Sequence, residues 1–329
     1  MPRRDRDAHL VERRIDVDGH VLNVAVGPDH GPPIVLLHGQ AARWQDYRRV
    51  LPTLIRRHRV IAIDVPGHGA SEHLAADEYR CVTVSELLAS AVEQLSDEPV
   101  LLSGHSSGGV LALAIAAARP RSVRGLLLED PPLFSSELPR GDRTTGAVLH
   151  RIADAYLSEL PGGGFQRSYV EHADYFSFFG DAAPRLTQWA LRWIDRHPGR
   201  PLRIGFLPRT VDVWFEGMVD YDPAFGRAWQ LGRWYEGFDT AAALRAVSVP
   251  TTLIHTRWWY ERHGTSYDDA GVLKAAMDVD DAERAIALLE DAELVTVAGG
   301  HLVHFERPRD YLAAVDALEA RSTGRGGRR

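Results

Sequence analysis

The stretch Leu101-Leu102-Ser103-Gly104-His105-Ser106-Ser107-Gly108-Gly109-Val110 decides how the rest of the chain reads. Val100 to Leu102 is an apolar run of the kind that forms a buried strand, and Leu111 to Ala118 has the composition of a buried helix. Between them stands Gly104-x-Ser106-x-Gly108, the pattern of a turn so sharp that its serine is pushed clear of the backbone. A strand reversing directly into a helix brings two backbones together, which leaves no room for side chains on either flank of the serine. Five residues alone occur by chance; a strand before and an apolar helix after give the pattern its meaning.

Outward from this turn, strands and helices alternate. Arg13 to Val17 and His20 to Val26 read as a hairpin joined at Asp18-Gly19. Ile34 to Leu37 and Val60 to Ile63 are short buried strands, with a helical stretch from about Trp44 to Arg57 between them. Thr83-x-x-Glu86 has the form of a capping box opening a helix that runs to Leu95. Val123 to Leu128 is a further strand and ends at Glu129-Asp130-Pro131-Pro132. Such alternation implies a parallel sheet with right-handed crossovers.

From Leu133 to Leu244 the rhythm changes to helical segments, among them Ala147 to Leu160 and Arg185 to His197, separated by Gly- and Pro-rich breaks. Alternation resumes with the strand Val249 to Ile254, a helix near Asp280 to Glu290, the strand Leu294 to Val297, and a last helix from Pro308 to about Ala320. The expected organisation is an α/β core over residues 1–132 and 245–322, a helical cap over 133–244, and a disordered tail over 323–329.

Composition narrows the function classes. Of 329 residues, 45% are apolar and 25% charged, which is ordinary for a globular chain. A net charge of −7 argues against nucleic acid or an anionic membrane as partner. Lys274 is the one lysine in an otherwise arginine-based set, read here as compositional bias. The single cysteine, Cys81, forms no internal disulfide and lacks a strand-turn-helix setting, so a small buried residue is expected there. No signal peptide and no run of ~18 apolar residues is found, so a cytoplasmic location is expected, with a small-molecule substrate as partner and a homodimer left open.

Four motifs then fall in one order. His38-Gly39 follows the first parallel strand, Asp64-x-Pro66-Gly67-x-Gly69-x-Ser71 follows the next, and the Gly104-to-Gly108 turn comes third. Gly300-His301-x-x-x-x-Glu306-x-Pro308 follows the last strand. Over nearly its whole length the chain resembles the α/β-hydrolase fold superfamily, and within it the serine hydrolases with a helical cap. The resemblance implies Ser106 as nucleophile, His301 as its base, and the backbone N–H groups of Gln40 and Ser107 as an oxyanion hole. It implies no metal and no organic cofactor. His301 and His304, three residues apart, lack further ligands at zinc spacing, and the Asp64 turn reads as structural.

The acid that would orient His301 is the difficult assignment. In most of the superfamily an aspartate follows the strand before the last one, where this chain has Arg257-Trp258-Trp259-Tyr260. A second position, after the strand that follows the helix Leu111 to Ala118, offers Glu129 and Asp130. The two alternate across the strand end, so one of them should face His301; Glu129 is taken as the acid, with Asp130 as runner-up.

A serine nucleophile excludes the aspartate-dependent dehalogenases and epoxide hydrolases of the superfamily and points to acyl transfer. The cap holds Trp189, Trp193, Trp214, Trp229 and Trp234, with Phe178 among further aromatics. Trp189, Trp193, Trp214, Trp258, Trp259 and Phe178 are the candidate substrate-binding residues, suited to a bulky apolar or aromatic ester or lactone. Glu129 with Pro131 two residues on also resembles, locally, the lactone hydrolases that open the macrocyclic mycotoxin zearalenone. Alternatives are carbon–carbon bond hydrolysis, a proline-iminopeptidase-like amidase using the cap acids Glu171, Asp174 and Asp181, and a hydrolase-fold small-molecule sensor.

Overall fold

The computed structural model describes residues 10–159 and 163–326. Eight strands form one sheet: β1 (Val11–Val17), β2 (His20–Val26), β3 (Pro33–Leu37), β4 (Arg59–Ile63), β5 (Val100–His105), β6 (Val123–Glu129), β7 (Thr251–Thr256) and β8 (Ala292–Val297). Their spatial order is β1-β2-β4-β3-β5-β6-β7-β8. β1 and β2 pair antiparallel across Asp18 (φ 53°) and Gly19 (φ 88°), two left-handed residues that suit a tight hairpin. β2 meets β4 antiparallel, and every pairing from β4 through β8 is parallel.

Strand alternation divides the core into two layers. Val35, Leu37, Leu102, Leu126 and Leu128 pack against the helices Cys81–Leu95 and Ser107–Ala118. Ile34, Leu36, Leu101 and Leu127 face Tyr47, Leu51, Tyr311 and Leu318 on the other side. The helix Ser107–Ala118 is apolar all round and buried over Ser107 to Ala116, as a helix between sheet and neighbouring helices must be.

Several boundaries differ from the sequence reading. The stretch after Trp44 forms a 3-10 helix (Trp44–Arg49) and a short α-helix (Leu51–Leu54) rather than one helix to Arg57. The helix expected to open at Thr83 begins at Cys81 behind Arg80, which caps it with no side-chain bond, so Thr83 and Glu86 lie inside it. Cys81 is buried at that start. The last helix runs Pro308–Gly326, so the expected tail is helical through Gly326, and residues 327–329 fall outside the described residues.

Between β6 and β7 the described residues form helices and no strand. The helices Ala147–Glu159, Phe165–His172, Arg209–Met218 and Pro223–Gln230 pack over the C-terminal ends of the strands, and Ala183–Arg196 packs on Phe165–His172. Gly217 marks how closely they sit, since a Cβ there would lie 2.1 Å from the Ala41 carbonyl oxygen in the loop after β3.

The turn at Ser106 carries the tightest constraint. A Cβ on Gly104 would lie 2.2 Å from the Gly108 carbonyl oxygen, and one on Gly108 would lie 2.3 Å from that of His38. Both neighbours are backbone and cannot rotate away. Gly108→Ala is therefore expected to lower stability by about 1–3 kcal/mol, whereas Gly205→Ala, with nothing within 4 Å, should stay within about 0.5 kcal/mol of the parent. Denaturant unfolding of the two variants checks the contrast.

Candidate active site

Ser106 occupies φ 53° and ψ −124°, between the last residue of β5 and the first of the helix Ser107–Ala118. Its N–H donates to the Glu129 carbonyl at 2.9 Å, extending the β5–β6 pairing by one residue and fixing the turn to the sheet. The helix that follows places the Ser107 N–H, one of its unsatisfied N-terminal donors, beside the serine.

His301 reaches the same place from the loop after β8. Glu306 holds that loop: its carboxylate accepts from the Gly300 N–H at 2.8 Å and lies where a Gly300 side chain would be. This is a physical reason for the spacing Gly300-His301-x-x-x-x-Glu306. The His301 Nδ1 then lies 2.7 Å from Asp130 Oδ2. With Nδ1–H committed to a carboxylate, Nε2 is left with its lone pair and can take a proton.

The carboxylate facing His301 is thus Asp130, and the choice of Glu129 is corrected. Glu129 is the last residue of β6 and shares its face with Leu127, so it turns into the second core layer. There it is fully buried and accepts from the His304 N–H at 2.8 Å and from His304 Nδ1 at 2.8 and 2.9 Å. Asp130 is the first residue past the strand and takes φ 45°, a left-handed conformation that aspartate tolerates. That twist breaks the simple alternation on which the sequence reading rested.

Asp130 is also fully buried, and burial alone would push its pKa up. His255, at 3.8 Å, and His301 outweigh this and hold the carboxyl well below its usual range, while the Thr256 hydroxyl at 2.7 Å and N–H at 3.1 Å complete its hydrogen bonds. Thr256 ends β7 and was missed in the sequence, where a hydroxyl at a strand end carries no signal of its own. For His301, burial pulls the pKa down; the bond to Asp130 and the nearby charges of Asp130, Glu129 and Glu306 overcome it and leave the pKa raised. Next to the serine, His105 is buried with its Nε2 3.1 Å from the His301 carbonyl oxygen, and burial keeps it neutral by lowering its pKa.

The loop after β3 faces Ser106 directly. A Cβ on Gly39 would touch the Ser106 Cβ at 2.8 Å. His38 accepts the Val65 N–H on Nε2 at 2.9 Å, so its proton sits on Nδ1 and donates to the Gly39 carbonyl at 2.8 Å. That carbonyl belongs to the same peptide unit as the Gln40 N–H, and in a trans peptide the two point in opposite directions. Anchoring one therefore fixes the direction of the other. The Gln40 side chain joins the cap, donating to the Tyr221 hydroxyl at 2.5 Å and meeting His150 Nε2 at 2.9 Å. Asp64 and Ser71 bond to Asn23, Trp44 and Ala70 and lie outside the cavity lining, in keeping with a structural turn.

Ser106, His301, Asp130, Gln40 and Ser107 line one cavity of about 370 Å³. Of the aromatic candidates, Trp214, Trp258 and Trp259 line it as well. Trp189, Trp193 and Phe178 do not: Trp189 and Phe178 lie on the outer cap surface, and Trp193 stacks on His197 at 4.4 Å. Trp229 lines the cavity instead and stacks on buried Trp234. The acids Glu171, Asp174 and Asp181 are exposed on the cap and none reaches the cavity. Among the described residues no group of three or more His, Cys, Asp or Glu is arranged to hold a metal ion, and no helix is long and apolar enough to cross a membrane.

The chain belongs to the α/β hydrolase fold family, whose model matches residues 32–308. It is 37% identical over 115 residues to the magnesium-chelatase 30 kDa subunit of Rhodobacter capsulatus, covering 35% of this chain and 40% of that one. It is 36% identical over 201 residues to the 2-hydroxymuconate semialdehyde hydrolase of Pseudomonas sp. strain CF600, covering 56% and 69%. Among solved structures, Cfl2 of Burkholderia cenocepacia superposes with a TM-score of 0.64 at 23% identity, over 97% of this chain and 98% of that one. The first two curated relatives are matched over only 40% and 42% of their own length.

Two substitutions separate the neighbouring acids. Asp130→Asn should lower kcat on an activated aryl ester by about 10²–10⁴-fold, because His301 loses the anion that fixes its tautomer. Glu129→Gln should retain most of the plateau activity while moving the acid limb of kcat/KM to lower pH. The sign follows from His301, which must be neutral to accept a proton and whose raised pKa includes a contribution from Glu129. A dead Glu129→Gln beside an active Asp130→Asn would reverse the assignment.

Proposed function

We propose that this protein is a serine hydrolase that cleaves a carboxylic ester or lactone with a bulky apolar or aromatic acyl part. The observation that carries the reading is the Asp130–His301 bond ending in the cavity that Ser106 lines. In this reading His301 Nε2 takes the Ser106 proton as the oxygen attacks the carbonyl carbon. The N–H groups of Gln40 and Ser107 receive the developing negative charge, each worth about 3–4 kcal/mol in such sites. His301 then returns the proton to the leaving alcohol, and a water activated by the same histidine releases the acid.

Support for a bulky acyl part comes from Trp214, Trp229, Trp258 and Trp259 around the same cavity, whose volume suits a drug-sized ligand. The local likeness to macrocyclic lactone hydrolases rested on Glu129, which here bonds His304, so that narrower substrate is not carried forward. The amidase alternative loses its cap acids for the reason given above. A second reading, hydrolysis of a carbon–carbon bond through the same serine, is favoured by the similarity to the 2-hydroxymuconate semialdehyde hydrolase over 69% of that enzyme. The sensor reading has no observation in its favour.

A fluorophosphonate probe is expected to label the protein once, on Ser106, and Ser106→Ala should abolish both labelling and turnover of aryl esters by at least about 10³-fold. Parallel assays of aryl esters, macrolactones and vinylogous 1,5-diketones decide between the two bonds. Turnover of the diketones alone would replace the ester reading, and an unlabelled Ser106 would remove both.

A further inference from the structure

The chain from Arg257 to Asp278, after β7, forms one wall of the cavity and brings Trp258, Trp259 and Lys274 to it. It is held there by backbone bonds to the segment before the cap helices: Leu273 N–H to the Arg143 carbonyl at 2.9 Å, and Thr145 N–H to that of Leu273 at 3.0 Å. Lys274, the only lysine of the chain, is the one lysine or arginine in the lining among the described residues.

Its surroundings fix it without exhausting it. Lys274 Nζ lies 3.2 Å from Asp268 Oδ2 and 5.8 Å from the centre of the Trp259 ring. Asp268 is itself pinned through Oδ1 by the N–H groups of Ala270 and Val272. An ammonium carries three donors, and one partner leaves the others for a ligand. The neighbouring hydroxyls offer little competition. Thr145 donates to the Leu273 carbonyl, Ser135 to that of Ala276, and Thr144 to that of Gly141. Beside the lysine, the Nε1–H of Trp259 has no partner among the described residues, as is also true of Trp229 in the same lining.

We propose that Lys274 and Trp259 form an acyl-recognition subsite for a carboxylate, so that the substrate is an ester carrying one negative charge away from the scissile bond. This rests on the reading of Ser106 as an acyl-transfer nucleophile but is tested separately from it. A single charge is specified because Asp268 stands beside the ammonium and repels a second one. Trp214, Trp229 and Trp258 bring ring surface to the same cavity, which suits a hydrophobic spacer between the carboxylate and the ester.

The test is equilibrium binding to the Ser106→Ala protein, followed by tryptophan fluorescence, so that turnover is not needed. The ligands are aryl esters whose acyl chains, of increasing length, end either in a carboxylate or in the isosteric carboxamide. At the best chain length the carboxylate should bind about tenfold tighter, a preference that weakens with salt. Adding Lys274→Met should abolish the preference while leaving carboxamide binding within about twofold, and Lys274→Arg should keep much of it. Equal affinities at every length, or equal weakening of both ligands by Lys274→Met, would overturn the subsite. An unlabelled, inactive wild type that still prefers carboxylates would sink the hydrolase reading alone.

Discussion

The bond between Asp130 and His301, 2.7 Å long and closed off from solvent on the carboxylate side, is the constraint to which the rest of the site answers. A buried carboxylate is costly unless charge and donors surround it. Here they come from the ends of two neighbouring strands, His255 and Thr256 on β7 and His301 after β8, around Asp130 just past β6. The site therefore depends on register. A slip of one residue in β6 against β7 would send Asp130 into the core and present Glu129 in its place. The β6–β7 pairing of Glu129 with Ile254, continued by the Asp130 N–H to the Ile254 carbonyl, fixes that register at the point where it matters.

Beneath this pair lies a second one of the same kind. Glu129 and His304 repeat the acid–histidine arrangement one residue earlier and three residues later, inside the second core layer against Tyr47, His105 and Tyr311. The two pairs are linked through the chain on one side and through the loop Gly299–Glu306 on the other. Glu129 adds to the field that raises the His301 pKa, so a residue turned away from the cavity still acts on the group that faces it. Gly39, His38 and Glu306 do comparable work by geometry alone, each holding a backbone unit in the one direction the site needs.

How much of this the sequence disclosed follows from the range of each interaction. The hairpin at Asp18-Gly19, the parallel strands and the Gly104–Gly108 turn depend on neighbours within a few residues, and their patterns are readable for that reason. The exchange of Glu129 for Asp130 was not, because it depends on one left-handed residue just beyond a strand whose end cannot be placed to one position. The cap aromatics failed in a different way. Composition shows that tryptophans are abundant there, yet Trp214 points to the cavity and Trp189 to solvent only through how their helices pack. Thr83-x-x-Glu86 is a third case, since a helix already begun at Cys81 has no use for a cap at Thr83.

The displaced acid explains the most unusual wall of the cavity. The superfamily resemblance placed the orienting aspartate in the loop after β7, where this chain has Arg257-Trp258-Trp259-Tyr260. With His301 held from β6 instead, that loop is released from aiming a carboxylate at a histidine across the site. At its root His255 and Thr256 still act on Asp130, from a strand end that is already rigid. Beyond Thr256 the chain is free to extend to Asp278, dock on the segment Arg143–Thr145 and furnish two indoles and an ammonium to the cavity. Moving one carboxylate by one strand thus leaves this loop free to line the cavity, opposite the helical residues Leu149, His150, Tyr169, Trp214 and Trp229 that line it as well.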